Sequence, residues 1–156
     1  MTAMNSNQGV PEDVLRFTAY LQALRRIPDD EELSLITTIL EDSDATAQSA
    51  VLRHLDQRAD TLLRGEGYVP WAQAMTQVVA PRPFLIQRLH EWSLFRAVIL
   101  SQPWSLDALT RASNWLQLKI AESQSAIEAV EILAQAGRTK RIRNTARTTL
   151  VQRSRG

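Results

Sequence analysis

Residues 83–100 read PFLIQRLHEWSLFRAVIL and form the most apolar helix-length stretch of the chain. On a helix that turns by about 100° per residue, its apolar side chains point in nearly every direction. The stretch is about as long as a membrane span, but Arg88, His90, Glu91 and Arg96 interrupt it, and ionisable groups are costly in hydrocarbon. It therefore predicts the central helix of a soluble helical domain.

The composition favours a cytoplasmic protein of one domain. A chain of 156 residues is long enough to bury a sizeable core. The absence of cysteine excludes a disulfide, a cysteine nucleophile and a thiolate metal site, and suits a reducing compartment. The opening MTAMNSNQGV lacks the basic and apolar segments of a secretory signal, so we expect no export by that route.

The hydrophobic pattern predicts an all-α fold. Apolar residues recur at helical spacing, and no segment shows sustained two-residue alternation, so we expect essentially no sheet. Proline, glycine and capping residues divide the chain into a bundle of about seven to eight helices with antiparallel helical pairs. The predicted helices cover 11–26, a segment opened by the acidic run at 29–32, 44–64, a short segment headed by Pro70, 83–100, 105–120, 123–136 and a last segment. Their predicted N-caps include Ser43 or Asp44 for the third helix, Ser105 for the sixth and Thr139 for the last.

The domain boundaries follow from the same pattern. Residues 1–9 are small and polar, which predicts a disordered lead-in. Residues 10–152 are predicted to form the single helical domain, in which the glycines and prolines of about 65–83 indicate an irregular insert. Residues 153–156 are predicted to be a basic tail.

Three stretches share an apolar helix end, a tight turn and a second helix with alanine and leucine inward. They are 36–55, 95–116 and 130–150, and the last is contained in AVEILAQAGRTKRIRNTARTTL. This last stretch resembles the helical pairs of HEAT-type repeats, although the spacing between the three is irregular. The resemblance implies an architecture of the α-solenoid kind.

The charges are distributed unevenly along the chain. Residues 1–66 contain twelve acidic residues and six arginines, whereas residues 132–156 contain seven basic residues and no acid. The basic residues near the start of the last helix lie where its dipole already favours an anion. We predict an anion- or partner-binding cluster of Arg138, Lys140, Arg141, Arg143 and Arg147, with pairing to internal carboxylates as the alternative.

No motif predicts catalysis. The chain lacks a glycine-rich phosphate loop, a G-x-S-x-G elbow and an H-E-x-x-H zinc motif. His54 lies near Asp56 and Asp60 on one predicted helix face, but His90 is on another helix, so we expect no metal site. We therefore predict no catalytic residues, no cofactor and no enzyme; a pocket holding convergent ionisable groups would instead favour the enzyme hypothesis.

Aromatic residues suggest where a partner would bind. Tyr68, Trp71 and Trp104 belong to residue types that are favoured as interface anchors, and we predict that they form an exposed patch. The leading hypothesis is a non-enzymatic protein–protein interaction module, acting as an adaptor, regulator or assembly factor. The charge gradient also makes a homo-oligomer plausible. The alternative is a nucleic-acid-binding accessory protein that uses the cluster at 138–147; no membrane partner is expected.

Overall fold

A computed structural model describes residues 9–155 and confirms the all-α prediction: this range contains nine α-helices, one short 3-10 helix and no strand. The helices are α1 (Glu12–Arg26), α2 (Glu32–Leu40), α3 (Ala45–Leu62), α4 (Tyr68–Val78), α5 (Pro83–Ile99), α6 (Leu106–Arg111), α7 (Asn114–Ala121), α8 (Ile127–Ala136) and α9 (Lys140–Arg155). The 3-10 helix, Asp29–Glu31, leads directly into α2.

The chain divides into two compact units, Met1–Leu89 and His90–Gly156. We call them the N-terminal and the C-terminal unit. The division falls inside α5, so this helix contributes its first half to one unit and its second half to the other. The predicted disordered lead-in lies outside the described residues, except for Gly9.

The core of the N-terminal unit is formed around α3, which packs against α1, α2 and α4. Asp44 caps α3 as predicted, because its side chain accepts a hydrogen bond from the Thr46 amide at 3.1 Å. A buried cluster has members from every α-helix of this unit: Leu24, Ile36, Ile39, Ala47, Val51, Leu55, Met75, Val79, Leu85 and Leu89.

In the C-terminal unit, α8 and α9 pack against each other, and both contact α7. Gly137 joins α8 to α9 at a point of close approach. A Cβ atom there would lie 2.7 Å from Cγ2 of Ile142 and 2.8 Å from the carbonyl oxygen of Leu133. Glycine is therefore needed at this turn for space, since its φ of −58° is open to any residue.

The long apolar helix is α5, which ends at Ile99, one residue earlier than predicted. Leu85, Leu89 and Trp92 are almost fully buried, whereas Phe84 is 51 % exposed. The expectation that its apolar residues are covered on every side is therefore wrong at its N-terminal end.

The predicted helix over 105–120 is two helices, α6 and α7, which brings the number to nine within residues 9–155. Ser105 caps α6 as predicted, through a hydrogen bond from the Ala108 amide. The break comes at Ser113, whose amide and hydroxyl both donate to the buried carboxylate of Glu91, at 2.8 and 2.6 Å. The same hydroxyl then caps α7, so a tertiary contact ends one helix and begins the next.

The short helix predicted at Pro70 is α4, which lies within the region predicted as an irregular insert. Pro70 is in the first turn of α4, where a missing amide hydrogen breaks no helical bond. The predicted basic tail is helical as far as Arg155, because α9 continues to that residue. Among residues 9–155, no helix has both the length and the apolar character needed to cross a lipid bilayer.

Candidate functional site

Helix α9 presents the basic cluster predicted from the sequence. Thr139 caps it as predicted, with its hydroxyl accepting from the Ile142 amide at 3.1 Å. Ile142, Ala146 and Thr149 recur at helical spacing and are buried in the C-terminal unit. This buried stripe fixes the rotation of α9 and leaves the opposite side to solvent.

The solvent side of α9 has a regular composition. Five exposed residues follow one another at intervals of three or four along it, a set that we call the α9 stripe: Lys140, Asn144, Arg147, Val151 and Arg155. Arg141 is also exposed and lines a shallow groove beside Lys140 and Asn144. The stripe carries three positive charges over about four turns, and Val151, 50 % exposed, adds an apolar contact.

Two members of the predicted cluster have structural partners instead. Arg138 donates through Nη1 to the carbonyl oxygen of Ala112 at 3.0 Å, and Arg143 donates through Nη1 to that of Gly137 at 2.8 Å. Ala112 and Gly137 end α6 and α8, where backbone carbonyl groups lack helical partners. The sequence does not distinguish these two arginines from the other members of the cluster. The carbonyl groups that an arginine binds are close to it in space but need not be close to it in sequence.

Four members of the cluster are exposed, Arg138, Lys140, Arg141 and Arg147, and Arg143 is half-buried. Within residues 9–155, none of the five predicted cations has a carboxylate oxygen within 4.0 Å. The nearest polar partner given to Arg147 is the neutral side-chain oxygen of Asn144, at 3.1 Å. Within the described part of the chain, these cations therefore do not pair with internal carboxylates, which was the alternative prediction.

The three aromatic residues that were predicted to be exposed differ in their burial. Tyr68 is 2 % exposed, so it belongs to the core of the N-terminal unit. Trp71 is half-buried, 6.0 Å from Tyr68 between ring centroids, and its indole nitrogen donates to Glu32 at 3.0 Å. Trp104, in the C-terminal unit, is also half-buried. The expectation of an exposed aromatic patch is wrong for Tyr68, because α4 begins at that residue and turns it inward.

A second polar centre, which is not predicted from the sequence, lies in the N-terminal unit. We call it the Glu32 cluster: Glu32, His54, Arg58 and Trp71. One Glu32 carboxylate oxygen lies 2.6 Å from Nε2 of His54 and 2.9 Å from Nε of Arg58. The other accepts from Trp71 and, at 3.3 Å, from Nη2 of Arg58. The cluster joins α2, α3 and α4 through one carboxylate.

Glu32 remains ionised in this setting. Burial by itself raises the pKa of the Glu32 carboxyl, but the hydrogen bonds from His54 and Arg58 outweigh burial and hold the pKa below its ordinary value. Glu32 is 3 % and His54 4 % exposed. A buried charge of this kind is stable only when its acceptor positions are filled, as they are here.

The spacing along α2 contained a signal for this cluster. Glu32, Ile36 and Ile39 follow one another at helical spacing and are all buried. The acidic run at 29–32 predicts a helix start, and α2 does begin at Glu32. The additional role of Glu32 as a buried acceptor is not predicted. The structure gives His54 a hydrogen bond to Glu32.

A pocket of about 250 Å³ adjoins the cluster. Arg25, Ile27, His54, Gln57 and Arg58 line it together with Glu32. The imidazole of His54 is therefore held by a carboxylate on one side and borders the pocket on another, an arrangement that fixes the orientation of the ring.

His90 is exposed and remains apart from this cluster within α5. Asp56, which the sequence placed near His54, lies 2.9 Å from Nη1 of Arg88. Within the described part of the chain, no group of three or more histidine, aspartate or glutamate side chains is placed to hold a metal ion.

Comparison of the chain with protein-family models, with curated proteins and with solved structures finds no match.

Proposed function

We propose that the protein is a non-enzymatic interaction module that binds an acidic helix of a partner protein through the α9 stripe. The observation that carries this proposal is the exposure of Lys140, Arg147 and Arg155 on one side of α9, with no carboxylate within 4.0 Å among residues 9–155. Cations that face solvent with no carboxylate nearby are available to bind an anionic surface of another molecule.

The spacing of the stripe favours a helical partner. Lys140 and Arg147 are seven residues apart, and Arg155 follows after eight more, so successive charges lie roughly 11 Å apart along the helix axis. A partner helix with carboxylates at seven-residue spacing matches this register, as charged flanking positions do in paired helices. Val151 lies between Arg147 and Arg155 and offers apolar area to the same helix.

An acidic protein fits this surface better than a nucleic acid does. The α9 stripe contains no aromatic side chain on which a base could stack. The formal net charge of the whole chain is only +1, whereas nucleic-acid-binding domains are usually strongly basic. The acidic residues of 1–66 also make a second copy of this chain an acceptable partner.

The test is the binding of a fluorescent, helix-forming alanine–glutamate peptide of about 20 residues, measured by anisotropy at low salt. The variant K140E/R147E/R155E reverses three charges of the stripe. The control R26E/R53E/R64E makes the same change in charge at exposed arginines of the N-terminal unit. A peptide with glutamine in place of glutamate controls for apolar binding.

We expect the wild type and the control to bind the glutamate peptide, with affinity that falls as salt rises, and the stripe variant to bind at least about tenfold more weakly. Sedimentation that shows salt-sensitive self-association, lost in the same variant, would identify a second copy as the partner. Equal loss in the control, or tighter binding of duplex DNA or single-stranded RNA than of the peptide, would overturn the proposal.

A further inference from the structure

The pocket beside the Glu32 cluster has features of a ligand site that the interaction function does not use. Its wall contains the buried imidazole of His54 and the guanidinium groups of Arg25 and Arg58. The pocket volume of about 250 Å³ is smaller than that of drug-sized sites. A ligand of few atoms therefore fits best.

The ring of His54 borders this space. Its Nε2 atom is occupied by Glu32, and the structure gives Nδ1 no hydrogen-bond partner among the described residues. Within that same range, Nε of Arg16 is the one buried side-chain nitrogen or oxygen atom that lacks a partner. Nδ1 of His54 is therefore not fully buried, and the His54 side chain lines the pocket.

The two arginines supply positive charge at the same place. Arg58 uses Nε and Nη2 on Glu32, which leaves Nη1 without a partner in residues 9–155. Arg25 is exposed and forms no ion pair within that range. Asp29 is the remaining charged group of the wall, and its side chain is 86 % exposed and 3.6 Å from Nη2 of Arg58. Water screens the Asp29 carboxylate, and the negative charge of Glu32 is compensated by the groups that donate hydrogen bonds to it.

We propose that this pocket binds a small oxyanion, a phosphate or carboxylate group, between Arg25 and Nη1 of Arg58, beside the ring of His54. Guanidinium groups suit such anions because they offer several donors in a fixed plane. Glu32 acts as a positioning residue, since it accepts hydrogen bonds from Nε2 of His54 and from Arg58 and so fixes both side chains in the pocket wall.

The experiment follows the imidazole nitrogen resonances of histidine-labelled full-length protein by NMR during titration with inorganic phosphate and, separately, with acetate at constant ionic strength. His90 is exposed and serves as an internal reference. Arg25→Gln removes one charge of the pocket, and Arg26→Gln is the matched control, because Arg26 is a neighbouring exposed arginine that does not line the pocket.

We expect a saturable shift of the His54 resonances and not of those of His90. Arg25→Gln should weaken binding about tenfold, while Arg26→Gln leaves it within about twofold of the wild type. Saturation with only one of the two anions identifies the group that the pocket selects. A linear, non-saturating shift with both anions, or the same affinity in Arg25→Gln as in the wild type, would overturn the site. Neither result depends on the α9 stripe.

Discussion

The two units of the chain use their positive charges in different ways. In the N-terminal unit, Arg58 and Arg88 pair with Glu32 and Asp56, each at 2.9 Å, and these pairs connect different helices. Arg16 does the same from α1 with Asp42 and Asp44. In α9 of the C-terminal unit, the described cations have no such partner within 4.0 Å. These arginines of the N-terminal unit therefore form ion pairs between segments, whereas the arginines of α9 bind backbone carbonyl groups or face solvent.

The difference follows from where the carboxylates are. Acidic residues are frequent in 1–66 and absent from 132–156. The C-terminal unit also links its helices with a neutral group. Gln117 is fully buried, donates to the Leu109 carbonyl at 2.8 Å and accepts from the Arg138 amide at 2.9 Å. The side chain that links helices by hydrogen bonds is thus ionised in the N-terminal unit, at Glu32, and neutral in the C-terminal unit, at Gln117.

The largest effect should come from breaking the ionic framework. Glu32→Ala leaves His54, Arg58 and Trp71 without their shared acceptor, and we expect the free energy of unfolding to fall by about 3–5 kcal/mol in urea denaturation. Glu31→Ala is the matched control, since Glu31 is exposed, and it should change stability by less than about 0.5 kcal/mol. Equal effects of the two variants would show that the Glu32 cluster does not hold α2, α3 and α4 together.

A smaller effect is expected where the C-terminal unit is packed most closely. Gly137→Ala should lower the free energy of unfolding by about 1–3 kcal/mol, because the new methyl group meets a backbone carbonyl that cannot move independently. Gly67→Ala is the control, since a Cβ atom there lies 3.8 Å from the nearest atom; we expect no loss of stability. Hydrogen exchange of the α8 and α9 amides would locate the change.

The pH dependence of stability provides a further test of the ionised Glu32 cluster. The folded pKa of Glu32 is below its ordinary value of about 4.5, so the stabilisation is complete above that pH and is lost as the pH falls through the folded pKa. We expect the wild type to lose more unfolding free energy than Glu32→Gln does as the pH falls from about 5 to below the folded pKa of Glu32. All other carboxylates are common to both proteins, so the difference isolates Glu32. Parallel curves would contradict the assignment.

The smallest effect concerns the start of α9. Lys140 is the first residue of this helix, where a positive charge opposes the helix dipole. Lys140→Glu should therefore raise the free energy of unfolding by about 0.5 kcal/mol, while it weakens binding of the acidic peptide. Urea denaturation and peptide anisotropy on the same variant test both parts. A loss of both stability and binding would indicate that Lys140 has an internal partner.

The hydrophobic periodicity determined the helical class and most helix positions, and short-range chemistry determined the caps at Asp44, Ser105 and Thr139. These features depend on residues three or four positions apart, which a sequence shows directly. The concentration of cations in 132–156 likewise identified α9 as the basic helix, although its binding role stays a prediction.

Tertiary structure alone decided the break at Ser113 and the Glu32 cluster. Ser113 is held by Glu91, which is 22 residues away, and Glu32 meets His54 across 22 residues and Trp71 across 39. It also separated Arg138 and Arg143, which donate to carbonyl groups, from Lys140, Arg141 and Arg147, which have no carbonyl partner among residues 9–155. Such partners come together only when helices pack. A buried polar group forms hydrogen bonds with the groups nearest to it in space, and its neighbours along the chain do not specify which groups these are.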